Sequence, residues 1–166
     1  SNGKISGLNS SGPAPMMISA ESLKRSGYNE MPKYGWAPVT VPGIPAAWAE
    51  LVKKFGKLSL NDDMRDAIIY AQEGFPVSTV VSRNWKRAYK ILYNNLKDQK
   101  FKYWFNTFTR DGGVPEAGDM WYFPDHAKSL ESIAETYGDS FYKGEIAERI
   151  DKFSKESGGY IRKSDL

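Results

Sequence analysis

Cysteine is absent from the 166 residues, and histidine occurs once. The first absence excludes disulfides and thiolate chemistry. The second leaves no basis for a histidine-built metal site, and no cofactor is expected. No run of about 18 apolar residues exists, so no segment is suited to crossing a membrane as a helix. No charged-then-apolar leader opens the sequence, which says nothing of any longer precursor. Internal repeats and low-complexity tracts are also missing. What is there is a folding composition, 14% aromatic and 26% charged, well outside the range of disordered chains. The length suits one domain with a substantial core.

Net charge is only +3, but it is unevenly spread. Residues 83–110 hold eight Lys or Arg against one Asp, which leaves the remainder at −4. A local basic patch calls for a different explanation from a globally basic chain.

Residues 4–8 read as a short strand between Gly3 and a Ser/Gly/Pro turn region ending at Pro15. Ser19 is placed to cap a short helix through Arg25, with Gly27 as its stop. Residues 28–43 are a Pro/Gly-rich loop, extended at 39–41 because Pro42 restricts its predecessor. From residue 44 the helical period takes over. Ile44, Ala47, Trp48, Leu51, Val52 and Phe55 share one helix face, with Pro45 in the first turn and Gly56 at the end. A capping box spanning Ser59 and Asp62 opens the next helix, which carries Met64, Ala67, Ile68 and Ala71 and stops at Gly74. Residues 78–97 form a third, with Val81, Trp85, Ala88, Leu92 and Leu96 on one side. A Gly/Pro/Asp loop covers 111–119. Another helix follows Pro124, with Ala127, Leu130, Ala134 and Tyr137, and ends at Gly138. The last long helix bears Ile146, Ala147, Ile150 and Phe153 and ends at Gly158 and Gly159; Ser164, Asp165 and Leu166 then open a further helical turn. The expected fold is mainly α-helical with minimal strand: a lead-in over 1–43 and a helical region over 44–166, together one domain or one lobe of a larger one.

Individually, these glycines and prolines need only structural causes. Their joint order carries more. Thr40-Val41-Pro42-Gly43, then Trp48, then Phe55-Gly56-Lys57 resembles the TxPGxxxGW…YGxL block of the γ-glutamyltransferase family. Ala71 with Gly74-Phe75 and Val77 is similar to its AxxGFxV block. Ala127 and Leu130 with Ile133-Ala134 resemble its LAxxLxxIA helix. Phe141-Tyr142-Lys143-Gly144-Glu145-Ile146-Ala147, Gly158-Gly159 and Asp165-Leu166 complete the series, while Asn2-Gly3-Lys4 and Ala14-Pro15 match its opening. The resemblance covers essentially the whole chain.

It implies an N-terminal-nucleophile hydrolase, an αββα sandwich made from one autocleaved precursor. The nucleophile in that family is a Thr at the new N-terminus of the small subunit, and its free α-amine serves as base for its own hydroxyl. A downstream Gly-Gly pair supplies backbone donors to the oxyanion. By the resemblance, residues 1–166 are the helical large-subunit lobe, with neither nucleophile nor oxyanion hole. The partner implied is the small-subunit half of the same precursor, and an excised lobe should self-associate through the apolar surface it exposes. Ser1 fits an upstream lead-in better than a nucleophile, and Gly158-Gly159 a helix stop better than an oxyanion hole.

One position in this lobe matters for chemistry. The family's transferases hold the glutamyl α-carboxylate with the Arg of an Asp-x-Arg-Glu-x-Ala-Pro motif, and a bidentate guanidinium suits that task. Aligned on Ala14-Pro15, that position is Ser11; the Asp and Glu positions are Asn9 and Gly12. Some relatives carry an Arg just before the Ala-Pro, where this chain has Pro13, and no basic residue lies between Lys4 and Lys24. A hydroxyl cannot replace a charged fork. The departure points away from γ-glutamyl specificity and towards an acylase-like amidohydrolase.

The basic stretch 83–110 supports a competing reading as a non-catalytic binding module. Arg83, Lys86, Arg87, Lys90 and Lys97 share a helix face opposite Trp85, Ala88, Leu92 and Leu96. Aromatics at 101, 103, 104, 105 and 108 mix with Lys100 and Lys102. Such a pattern can bind single-stranded nucleic acid or an anionic membrane. A solvated basic face over an aromatic core explains the helix better, because its apolar and charged residues segregate cleanly, so neither partner is expected. Residues 101–108 are harder to explain as core alone, which leaves a subunit contact open to them. His126 is expected to be an exposed first-turn residue, and Asp62 and Asp63 to serve the helix N-terminus.

Overall fold

A computed structural model of the chain describes residues 3–166. Ser1, the candidate nucleophile, and Asn2 of the opening block lie outside the described residues. The chain forms two compact units, residues 1–64 with 131–166, and residues 65–130. In order, the elements are α1 (Ala20–Arg25), α2 (Ile44–Phe55), α3 (Leu60–Glu73), β1 (Phe75–Pro76), α4 (Thr79–Asn95), a 3-10 turn (Gln99–Phe101), α5 (Lys102–Phe108), β2 (Met120–Trp121), α6 (Pro124–Thr136), α7 (Asp139–Tyr142), α8 (Glu145–Glu156) and a closing 3-10 turn (Lys163–Asp165). The mainly helical expectation holds.

Local chemistry sets most of these boundaries. Ser19 accepts the Ser22 N–H while Ser22 returns a bond to Ser19, a reciprocal box at the start of α1. Ser59 and Asp62 do the same for α3: the Ser59 hydroxyl accepts the Asp62 N–H at 3.1 Å, and Asp62 accepts the Ser59 N–H at 3.3 Å. Ser78 caps α4 through the Val81 N–H. Gly74, Gly138 and Gly158 adopt left-handed backbone after their helices, where a Cβ is disfavoured.

In the first unit, α2 and α8 bury Ala47, Ala49, Ala147 and Ser154, and Leu60 and Ile133 join this core. Gly159 lies so close to Trp36 that a Cβ there would sit 2.6 Å from the indole ring. The indole N–H donates to the Ser157 hydroxyl at 3.0 Å, and Phe153 packs against the ring at 5.8 Å between centroids. The Gly158-Gly159 pair is thus a helix stop shaped to receive Trp36, and the Gly159 N–H is already spent on the Ser154 carbonyl.

The second unit is built on aromatics. Trp85 of α4 contacts Phe108, Trp121 and Phe123, and its indole N–H donates to the Phe108 carbonyl at 3.1 Å. The buried Ser82 hydroxyl donates to the Pro115 carbonyl at 2.9 Å. β1 pairs antiparallel with β2, Phe75 opposite Trp121 and Pro76 opposite Met120.

One expectation needs correction. Residues 4–8 form no strand, and Ile5 is 95% exposed; an extended segment without a pairing strand has no ladder to join. In residues 101–108, Trp104, Phe105 and Phe108 pack onto the aromatic core of their own unit, while Tyr103 is 53% exposed. The apolar face of α2 is only partly covered. The buried positions of α2 are Pro45, Ala47 and Ala49, whereas Ile44, Trp48, Leu51 and Phe55 are 51%, 37%, 44% and 57% exposed.

Candidate functional site

The loop that carries Ser11 is held unusually tightly for an irregular segment. Asn9 folds its side chain back to accept the Ser11 N–H at 2.9 Å, a local turn that an Asx residue favours. The Pro13 carbonyl accepts the Val41 N–H at 3.0 Å. Two glycines allow the strands of this loop to meet. A Cβ on Gly12 would lie 1.8 Å from the Val41 carbonyl oxygen, and one on Gly43 would lie 1.9 Å from that of Ser10. Residues 10–13 therefore run against 41–43 at backbone contact, and Ser11 is exposed beyond that seam.

Two distant side chains lock the seam. The Tyr142 hydroxyl donates to the Pro42 carbonyl at 2.8 Å and accepts the Ala46 N–H at 3.1 Å, fixing the turn into α2. Asp165 accepts the Met16 N–H at 2.9 Å with one oxygen and the Arg162 N–H at 2.7 Å with the other. Asp165 thus holds the chain just beyond the Ser11 loop, and Tyr142 holds the 42–46 turn that begins at the seam. Sequence reasoning found the motifs but missed this role. The available signal was a Tyr and an Asp recurring inside family blocks where helix formation alone does not ask for them.

The other sequence candidates are structural in their geometry. His126 is exposed and packs its ring on Phe123 and Phe108. Lys86 pairs with Glu116, and Lys97 lies over the Tyr93 ring. Arg110 stacks on Trp121 at 4.2 Å and donates to the Tyr122 carbonyl at 3.2 Å. The aromatics needed for base stacking are largely committed to one another. Two carboxyls are held below the ordinary range. Asp98 accepts the Lys100 backbone N–H and pairs with its side chain; Asp151 is held by Lys155 and also accepts the Lys163 N–H. Both are helix-end fixtures. Among the described residues, no three His, Asp or Glu side chains gather so as to hold a metal ion.

What this arrangement offers is a rigid loop with an uncharged tip, braced from both ends of the sequence. Comparison with known proteins gives it a context. The chain is 34% identical over 128 residues to the glutathione hydrolase-like YwrD proenzyme of Bacillus subtilis, covering 77% of this chain and 23% of that protein. The crystal structure of cephalosporin acylase from Bacillus halodurans superposes with a TM-score of 0.95 at 46% identity, over 99% of this chain and 31% of that one. Helicobacter pylori gamma-glutamyltranspeptidase superposes with a TM-score of 0.79 at 28% identity, over 93% of this chain and 44% of that one. The chain thus spans between about a quarter and under half the length of these relatives. The sequence model for gamma-glutamyltranspeptidase matches residues 1–166, and the chain belongs to the gamma-glutamyltranspeptidase family.

Proposed function

We propose that this chain is the helical large-subunit part of an autoprocessed, amide-cleaving N-terminal-nucleophile enzyme, and that it serves as scaffold and one wall of the substrate cleft. The reacting groups in this reading belong to the small-subunit half. A Thr hydroxyl there adds to the amide carbonyl and gives its proton to the Thr α-amine. Backbone N–H groups take up the charge on the oxygen. The amine leaves with that proton, and water then opens the ester and restores the hydroxyl.

The observation that carries the scaffold role is the face of α2. Ile44, Trp48, Leu51 and Phe55 fall at helical spacing and stand exposed, a stripe that isolated soluble helices do not leave uncovered. In the whole enzyme, the small-subunit half covers it. Excised, the chain self-associates through the same stripe.

Substrate preference follows from Ser11. With no guanidinium at that position, the enzyme takes γ-glutamyl donors poorly and acts as an acylase-like amidohydrolase.

The test of the scaffold role is a Trp48→Glu/Leu51→Glu double variant of the full-length precursor. Each position is already partly solvated, so helicity by circular dichroism should hold. The yield of co-eluting subunits should fall at least fivefold. Normal assembly would mean that this face meets something other than the small subunit.

A further inference from the structure

The first unit contains an apolar groove of about 350 Å³, walled by Ala14, Ile18, Leu23, Met31, Pro38 and Val39. None of the residues lining it is charged. The two polar ones are Ser19 and Thr40, and the Ser19 hydroxyl is already engaged as the cap of α1, accepting the Ser22 N–H at 3.1 Å. The groove therefore offers contact area and almost no directional recognition. Its size is at the lower end of small-ligand pockets, which are concave, apolar and pre-formed.

Its position gives the groove a use. One wall, Ala14, belongs to the loop that carries Ser11, three residues away. Val39 and Thr40 lead directly into the 41–43 segment that is fused to that loop by Gly12 and Gly43. Ile18 is tied to the same loop, its N–H donating to the Pro15 carbonyl at 3.1 Å. The loop thus carries an exposed, uncharged Ser11 and, three residues on, contributes Ala14 to an oily recess.

We propose that this groove takes the acyl chain of the amide substrate, and that the chain is uncharged and aliphatic, four to eight carbons long. The inference rests on the amidohydrolase reading above and deepens it by naming the acyl side. Burying each methylene is worth about a fourfold gain when complete. An open groove captures less, so about threefold per methylene is expected, or roughly 80-fold between acetyl and hexanoyl.

The test uses the full-length enzyme and a series of 4-nitroanilides: acetyl, butyryl, hexanoyl, octanoyl and γ-glutamyl. The expected result is kcat/KM rising with chain length and a hexanoyl rate far above the γ-glutamyl one. Two variants probe the groove. Leu23→Trp fills it. Met31→Glu places a charge at its rim, at a position 53% exposed, so the fold is spared. In both, the hexanoyl-to-acetyl ratio should fall at least tenfold. A flat series, or a ratio that neither variant changes, overturns the groove assignment and leaves the amidase reading standing. Titration of hexanoate against glutamate by calorimetry separates binding from chemistry. Hexanoate binding that Leu23→Trp abolishes supports the groove even if no anilide turns over. Absence of both turnover and hexanoate binding overturns the two readings together.

Discussion

Replacing Gly12 with alanine is expected to destabilise the protein by about 3 kcal/mol, at the upper end of overpacking effects. The added Cβ would sit 1.8 Å from the Val41 carbonyl oxygen and 2.7 Å from its carbon. Both are backbone atoms, so no side chain can swing aside. Relief requires residues 10–13 to part from 41–43, which breaks the Val41 to Pro13 hydrogen bond and slackens the hold on the Ser11 loop. Gly43→Ala should match it, since its Cβ would meet the Ser10 carbonyl from the other side of the seam. Gly27→Ala is the control. Nothing lies within 4 Å of a Cβ there, and only its left-handed backbone is strained, at a cost of roughly 1 kcal/mol. Thermal unfolding of the three variants should therefore rank Gly12 and Gly43 together, well below Gly27. Equal losses at all three positions would show that the seam yields more easily than its contacts imply.

The second large effect is a gain. Ser11→Arg in the full-length enzyme should raise kcat/KM for a γ-glutamyl anilide by about 10- to 100-fold, the range expected from restoring charge-assisted hydrogen bonds to a carboxylate. The position is suitable because Ser11 is exposed and its backbone N–H is already satisfied by Asn9. The rise should be specific: the gain for a neutral acyl anilide should be much smaller. An equal change for both substrates would mean that Ser11 does not face the acyl group at all.

Much of the helical layout was legible because helix ends are written locally. Ser19, Ser59 and Ser78 start helices, and Gly56, Gly74, Gly138 and Gly158 mark their ends, each by chemistry within four residues. The two-residue strands at 75–76 and 120–121 were not legible, since so short a segment has no period to detect. The face of α2 shows a subtler limit. Periodicity located its apolar stripe correctly, but a stripe does not say what covers it; Ala47 at its edge is buried with Ala49, while Trp48, Leu51 and Phe55 stay exposed. Residues 101–108 are mixed. Lysines among the aromatics looked like surface, yet Trp104, Phe105 and Phe108 turn onto Trp85 and its neighbours while Lys100 and Lys102 stay solvated.

For the site, the sequence could find Ser11 only through family motifs. It could not find the bracing of that loop, because Tyr142 reaches back 100 residues to Pro42 and Asp165 reaches back 149 to Met16. Contacts at such separation leave no local pattern.

In the function proposed above, residues 1–166 supply the frame and the small-subunit half supplies the chemistry. The direct measurement is hydrolysis of hexanoyl and γ-glutamyl 4-nitroanilides by three preparations: the isolated chain, the isolated small-subunit half, and the autoprocessed full-length protein. Amide cleavage by the full-length protein alone is the predicted result. Turnover by residues 1–166 on their own would contradict it.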